Sequence, residues 1–417
     1  MVNLNNKTNI LVLITSGFPF DNHENYLETE IIYLAKRFSK ILILSNNTSS
    51  KNCRQVPNNV QIKRIRYNSN FIEKILSIRQ VFNKSFVEEL GIIKSQYKIK
   101  VSIGILKTLL ITLGNSHRLR KEYESQIQNI NNENITFYSY WCNDSAIALS
   151  KLKVLKGNNI SCITRMHRWD IYFEESKYGY LPLRKDIFKN LDSVVSISQD
   201  GINYLKSQLK FNTKSIKVSR LGVKKIGEFH KKVSKKFLIV SCSNLIKVKQ
   251  VHLIAESLSK IKNHEINWVH FGDGILMDEI INYCEKNLPK NIKVEFKGRV
   301  SNKEVVGFYI KNVPDLFINL SSSEGVPMSI MEAMSCSIPV IATNVGGTSE
   351  IVNNENGLLL KKSFEIGEVS KFIEKFYTLK IKEKETLRKN AYETWSESFD
   401  ASKNYNNFIK EFLYSSG

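Results

Sequence analysis

Short apolar runs closed by turn residues recur along the chain, with stretches of helical periodicity between them. Residues 9–14 form the first run and end at Thr15-Ser16-Gly17, which reads as a buried strand meeting a loop. From 24 to 38 the positions Tyr26, Leu27, Ile31, Leu34, Ala35 and Phe38 keep helical spacing, and 41–44 is a second strand. Further strands are predicted at 135–140, 160–165, 192–198 and 216–222. Helices are predicted at 144–152, capped by Asn143, and from 199 to 205. A charged stretch, 224–236, is poor in long apolar side chains and reads as a linker. The rhythm then starts again, with strands at 237–241, 267–271, 293–296, 316–320 and 338–342 and helices at 305–311, 328–336, 365–378 and 382–397. The tail, 395–413, keeps helical spacing through Phe399, Tyr405, Phe408, Ile409 and Phe412. Such alternation is an α/β pattern with parallel sheets, and 417 residues suffice for two cores.

The most informative stretch is 315–352, DLFINLSSSEGVPMSIMEAMSCSIPVIATNVGGTSEIV. A buried strand runs into three serines, and Glu324-Gly325 open a loop. Pro327 suits the first turn of a helix whose Ile330, Met331 and Met334 face the core. A second strand leads to the turn Asn344-Val345-Gly346-Gly347 and a predicted helix start at Thr348. Ligands of parallel sheets bind beyond the carboxyl ends of the strands. Glu324 stands at one such end, and Glu332 follows within the helix. Amides at a helix start and beside a Gly-Gly turn suit phosphate oxygens, while carboxylates accept hydrogen bonds from hydroxyls. Together they describe a nucleotide-sugar site. The bland alternative makes both glutamates solvated helix residues.

The pair Glu324-Gly325 … Glu332-Ala333, with PVIATNVGGTSEIV and Asn356-Gly357-Leu358-Leu359 after it, resembles the EGxxxxxxEA signature of retaining GT-B glycosyltransferases of family 4. The resemblance is to glycosyltransferase group 1 enzymes of the bacterial capsular or surface polysaccharide type. The resemblance implies two Rossmann-like domains facing across a cleft. Residues 1–223 would bind acceptor and 224–395 the nucleotide-sugar, with a last helix, 396–417, crossing back to the N-terminal domain. It implies that Glu324 grips sugar hydroxyls, that Glu332 holds the ribose, and that Gly325, Val326, Pro327 and Met328 line the donor. The stretch SCSNLIKVKQVHLIAESL is similar to the family's SxGRLxxxKGxxxLIEAL element. Lys249 falls on its lysine and would hold the leaving diphosphate, whereas Asn244 stands at the usual arginine and Gln250 at the usual glycine. Arg220 and Lys247 are candidates for the second charge. Gly272, Gly274, Arg299 and Val300 are placed around the nucleotide by the same resemblance.

In the first half, the loop at Gly17 resembles the family's GFPxxxGExF opening, with His23 at a usual glycine. Gly17 then approaches donor or acceptor, or is a plain strand-to-loop turn. RMHRWD at 165–170 resembles the H-x-x-D segment, which implies that His167 reaches the transferred sugar and Asp170 shapes the cleft. Trp141, in an aromatic cluster beginning at Tyr138, is core or lines an acceptor groove. No Asp-x-Asp pair occurs, so a metal-held diphosphate is not expected. No cofactor is implied, only a UDP- or GDP-sugar as substrate.

Charge changes the picture further. Lys+Arg number 61 against 40 Asp+Glu, a formal net charge of +21. That excess implies an acidic partner: nucleic acid, an anionic membrane face or a charged small molecule. No nucleic-acid-binding motif accompanies it. The charge concentrates at 71–121, where ten Lys or Arg oppose three acids and apolar residues interleave. This segment reads as a basic amphipathic face for an anionic membrane; the alternative is two helices covering the N-terminal sheet. Six cysteines lack metal-site or disulfide spacing, and the N-terminal apolar run is too short for a signal peptide. No run approaches the ~20 apolar residues of a membrane span. The expectation is a cytoplasmic enzyme, peripheral at the inner membrane face, with a glycan or lipid-linked acceptor. Rival readings are a GT-B epimerase or phosphorylase, a basic nucleic-acid-binding protein, and a non-catalytic membrane scaffold.

Overall fold

The computed structural model describes residues 9–413 apart from 21–23, 47–48, 68, 129, 131–133, 211–215 and 227–235. Asp21 and His23, and most of the charged stretch 224–236, lie outside the described residues. The chain forms two compact units, Met1–Leu221 with Lys403–Gly417, and Gly222–Ser402.

In the first unit, β1 (Asn9–Thr15), β2 (Lys40–Ser45), β3 (Val60–Arg64), β4 (Asn134–Ser139), β5 (Ile160–Met166), β6 (Ser193–Ser196) and β7 (Ile216–Val218) are described. They form one sheet in the order β3-β2-β1-β4-β5-β6-β7, parallel throughout. Helix α1 (Leu27–Ala35) follows β1. Between β3 and β4 stand α2 (Phe71–Leu76), α3 (Lys84–Ile92) and α4 (Ile103–Ser125). After β4 come α5 (Asp144–Lys156), α6 (Arg184–Asn190) and α7 (Gln199–Gln208). Successive residues of β1 point to opposite faces, and both faces are covered. Leu11 and Leu13 pack with Leu27, Ile31, Leu34 and the tail residues Phe408 and Phe412. Ile10, Val12 and Ile14 pack with Leu109, Leu113 and Ala146 on the other side.

The helix expected from 24 begins only at Leu27. Glu24 takes a left-handed backbone (φ 54) and folds back toward the loop after β1. Beneath the same helix, Arg165 donates to Glu30 at 2.7 Å, with both side chains wholly buried. The Phe408 ring lies 4.0 Å from the guanidinium carbon.

In the second unit, β8 (Phe237–Cys242), β9 (Ile266–Phe271), β10 (Ile292–Phe296), β11 (Leu316–Asn319), β12 (Val340–Thr343) and β13 (Gly357–Leu360) order as β10-β9-β8-β11-β12-β13, again parallel. They alternate with α8 (Val251–Ser259), α9 (Met277–Asn287), α10 (Asn302–Asn312), α11 (Met328–Ser335) and α12 (Ile366–Thr378), followed by α13 (Ile381–Ser398). Ile239, Trp268, Leu316, Ile318 and Ile341 form the core with Ile254, Leu258 and Ile373. The helix expected at Thr348 is a single 3-10 turn, Gly346–Glu350.

The tail was expected as one helical run. It breaks at Phe399–Asp400, where Asp400 bridges to Val223 and the Ala401 N–H donates to the Val223 carbonyl. A Cβ on Gly222 would stand 2.6 Å from the Ala401 Cα, so the two segments cross at backbone distance. α14 (Ala401–Phe408) follows. Both sheets reverse strand order once, between β1 and β4 and between β8 and β11. Loops leaving such neighbouring strands are where α/β sheets hold ligands.

Candidate functional site

In the second unit, β8 and β11 are neighbours, with Leu316 opposite Ile239. The loops that follow them therefore meet although their residues are far apart in sequence. The 3-10 turn Lys247–Lys249 ends the first loop. Lys249 Nζ donates to Glu324 Oε1 at 2.6 Å, and Asn319 Nδ2 approaches the same oxygen at 3.4 Å. Ser322 ties the loops together, since its N–H and its hydroxyl both donate to the Val248 carbonyl, at 2.9 and 3.2 Å. Glu324 is largely buried, so the lysine neutralises a carboxylate that burial would otherwise disfavour.

The Gly346-Gly347 turn after β12 presses on this carboxylate loop. Gly346 has φ 53, and a Cβ there would stand 1.9 Å from the Glu324 carbonyl oxygen. Gly347 donates its N–H to the Gly325 carbonyl at 2.7 Å. Only glycine allows that approach. A similar approach occurs after β9, where a Cβ on Gly272 (φ 143) would be 1.8 Å from the Ser243 carbonyl oxygen. Gly272 donates to the Gly298 carbonyl at 2.9 Å, and Leu245 to the Asp273 carbonyl at 2.9 Å. The loops carrying Asn244, Gly272, Gly274, Arg299 and Val300 are thus stitched into one rim at the carboxyl ends of the strands. Asn244 and Arg299 are exposed on it.

Pro327, expected in the first turn of this helix, stands just before it with extended backbone and makes no capping hydrogen bond; Gly325 and Val326 precede it and Met328 is the first residue of α11. Glu332, one turn further in, accepts from Asn302 Nδ2 at 2.6 Å. Burial pushes its carboxyl up to about 7, opposed by that hydrogen bond. Burial also pushes the Cys242 thiol at the end of β8 up to about 12, with Glu332 adding to the rise and Lys249 opposing it. The two predicted charges therefore act on one thiol between them. Behind the rim, Trp268 Nε1 donates to Ser241 Oγ at 2.9 Å, Ser241 Oγ lies 2.8 Å from His270 Nδ1, and His270 Nε2 lies 3.1 Å from the Ser243 carbonyl. Burial holds this histidine down at about 4, so it is neutral and braces the Ser243 loop.

A second cluster forms in the first unit, after β1, β4 and β5. The backbone N–H groups of Ser16, Gly17 and Phe18 donate to the Glu24 carboxylate at 2.9, 2.7 and 2.7 Å, and Trp141 Nε1 donates to it as well. The Trp141 ring packs against His167 (centroids 4.4 Å apart) and Trp169 (5.2 Å), and His167 also against Tyr140 (4.6 Å). Both ring nitrogens of His167 are buried without a hydrogen-bond partner; Nδ1 is 4.0 Å from Asp170. Asp170 accepts from the N–H of Cys142 (2.9 Å) and of His167 (2.7 Å). Burial alone would raise its carboxyl, but the His167 ring and the two backbone donors outweigh burial and hold it below its ordinary value. Asp170 is wholly buried and acts as a brace between two loops.

The structure thus brings Lys249, Glu324, the glycine turns and Glu332 to one end of the second sheet. It gathers Gly17, Trp141, His167 and Asp170 at one end of the first. Sequence reasoning passed over Glu24, Asn302, Asn319 and His270. Glu24 is the glutamate of the GFPxxxGExF pattern, and His270 directly precedes the Phe-Gly-Asp-Gly turn, which were the available signals.

Residues 223–394 match the family described as Glycosyl transferases group 1. An uncharacterized glycosyltransferase of Methanocaldococcus jannaschii, MJ1178, is 35% identical over 176 residues, 42% of this chain and 46% of that protein. The O-antigen biosynthesis glycosyltransferase WbnH of Escherichia coli is 30% identical over 127 residues, 30% of this chain and 34% of that protein. The chain therefore spans less than half the length of these relatives. Among solved structures, Anabaena HepE in complex with UDP and glucose aligns with a TM-score of 0.63 at 16% identity, over 97% of this chain and 99% of that one. With two parallel Rossmann-like sheets and this likeness along almost its whole length, the chain has the GT-B fold, and its second unit carries a glycosyltransferase group 1 domain.

Proposed function

We propose that this chain is a retaining glycosyltransferase that moves a sugar from a UDP- or GDP-sugar to a glycan or lipid-linked acceptor in surface polysaccharide assembly. One observation carries the reading: Lys249 meets Glu324 where the strand order reverses, beside the start of α11. A cation and helix-start amides suit a diphosphate, and a carboxylate suits sugar hydroxyls. The group 1 match, the O-antigen relative and the UDP and glucose held by the Anabaena neighbour support the substrate class.

On this reading the diphosphate lies against Lys249 and the first amides of α11, with the ribose at Glu332. The base and phosphates are lined by Asn244, Gly272, Gly274, Arg299 and Val300. Glu324 grips the sugar hydroxyls. The C1–O bond to the diphosphate breaks through an oxocarbenium-like state. The acceptor oxygen forms the new C1–O bond on the face the phosphate leaves. The acceptor's proton passes to the departing phosphate oxygen, so no protein base takes it. Lys249 stabilises the charge that develops on that oxygen. In the first unit, His167 and Trp141 serve sugar recognition on loops braced by Asp170 and Glu24.

Melting curves with UDP-, GDP- and ADP-sugars test the donor class, because a ligand that binds the folded state raises its melting temperature. One of these should stabilise the protein and then donate its sugar to a lipid-linked acceptor, at a rate unchanged by chelation of metals. If no nucleotide sugar shifts the melt, the reading fails.

A further inference from the structure

We infer that residues 71–87, together with Ile103, form a surface that docks on a bilayer rich in anionic lipids and inserts its apolar side chains between the headgroups. This does not rest on the chemistry proposed for Glu324 and Lys249.

The first observation is apolar exposure. α2 opens with a complete capping box between Asn70 and Glu73, yet none of its residues is buried. Phe71 is 77% exposed, Phe82 92% and Ile103 85%, and Ile72, Ile75 and Ile78 are exposed beside them. Of the sixteen exposed large hydrophobic side chains among the described residues, nine lie between 71 and 103, while the others are scattered. Apolar exposure concentrated in one stretch of the chain in this way marks an interaction surface.

The second observation is charge. Lys74, Arg79 and Lys84 are exposed within the segment, Lys94, Lys98, Lys100 and Lys107 are exposed along the chain just after it, and Glu88 is the one exposed acid across 71–107. Glu88 pairs with Lys84 at 3.7 Å, and Glu73 pairs with Arg66 outside the segment. Docking a second copy on this face would set cations against cations, whereas a sheet of lipid phosphates complements them.

The third is the anchor. Ser77 packs so tightly on α4 that a Cβ on Gly114 would stand 2.3 Å from its Oγ, and Ser69 bonds to Asn115 on the same helix. The segment is therefore held from behind while its apolar side faces away from the core. Among the described residues no helix is long and apolar enough to cross a membrane, so contact here is lateral, by shallow insertion.

The experiment is co-sedimentation of the full chain with phosphatidylcholine vesicles, with and without phosphatidylglycerol, at low and high salt. Binding is expected on the anionic vesicles alone, weakening as salt rises. Phe71→Ser/Phe82→Ser and, separately, Lys74→Glu/Arg79→Glu should each weaken it by about tenfold or more. Melting temperature and nucleotide affinity should not change, since these side chains are exposed and far along the chain from Lys249 and Glu324. Absence of binding to anionic vesicles, or full binding by both variants, overturns the inference. So does equal binding to neutral vesicles. Self-association that disappears in Phe71→Ser/Phe82→Ser, without vesicle binding, overturns it in favour of a contact between copies. Loss of vesicle binding leaves the nucleotide measurements, and hence the catalytic reading, to stand or fall on their own.

Discussion

Replacing Glu332 by glutamine separates what this carboxylate costs the fold from what it offers a ligand. Burial lifts its carboxyl from 4.5 to about 7. At about 1.36 kcal/mol per pKa unit, that rise corresponds to roughly 3 kcal/mol of penalty on the charged form. The residue is only partly buried, and solvent screening reduces the figure to about 1–2 kcal/mol. The sign follows from linkage. A carboxyl raised in the folded state binds its proton more tightly there than in the unfolded chain. Its contribution is therefore fully present below 4.5 and lost as pH rises through about 7. Wild type should lose that stability across the interval, whereas Glu332→Gln should not. Above the interval the variant should be more stable, by about 3–6 °C in melting temperature for a domain of this size. Glu89, whose carboxyl burial also pushes up to about 7, is present in both proteins and cancels in the comparison. Ligand binding should move the other way. A ribose hydroxyl donates more strongly to the carboxylate than to the carboxylic acid, so wild-type UDP affinity should weaken about tenfold between about pH 8 and about pH 6. Glu332→Gln should bind UDP weakly and without that pH dependence. Calorimetric titration and melting across the same buffers read both effects. A variant less stable than wild type in alkaline buffer, or a wild-type UDP affinity indifferent to pH, would overturn this account of Glu332.

Lys249→Ala should lower single-turnover transfer by about a hundredfold with a much smaller loss of UDP affinity, because its charge matters most as the diphosphate departs; an unchanged rate would remove it from the chemistry. Gly346→Ala should cost about 2–4 kcal/mol in urea unfolding, since any Cβ there collides with the Glu324 carbonyl on a left-handed backbone. Glu30→Ala leaves the Arg165 guanidinium buried and unpaired and should cost about 3–5 kcal/mol, whereas Glu30→Ala/Arg165→Met should recover most of it. Equal unfolding midpoints for those two would show that the pair carries no charge worth compensating.

What was legible in the chain followed from periodicity, and what was not followed from pairing at a distance. β1 and β8 are covered on both faces, so their apolar runs stand out without knowledge of any neighbour. The helix boundary at Leu27 could not be read that way. It depends on Glu24 adopting a backbone its neighbours do not require, in order to collect three amides of a loop at the far end of the preceding strand. The motif spacing of Glu324 and Glu332 located two carboxylates but not what each touches. Lys249 reaches Glu324 only because the sheet places β11 beside β8 and sends β9 and β10 to the other side. Asn302 reaches Glu332 from the first turn of α10, a contact that no local pattern encodes. The basic segment shows the same division. Its amphipathic composition was evident, but a helical stripe normally faces a core. That α2 keeps no residue buried is a property of its seat on α4, fixed by Ser77 against Gly114, and that seat is what turns an ordinary apolar stripe into an outward surface.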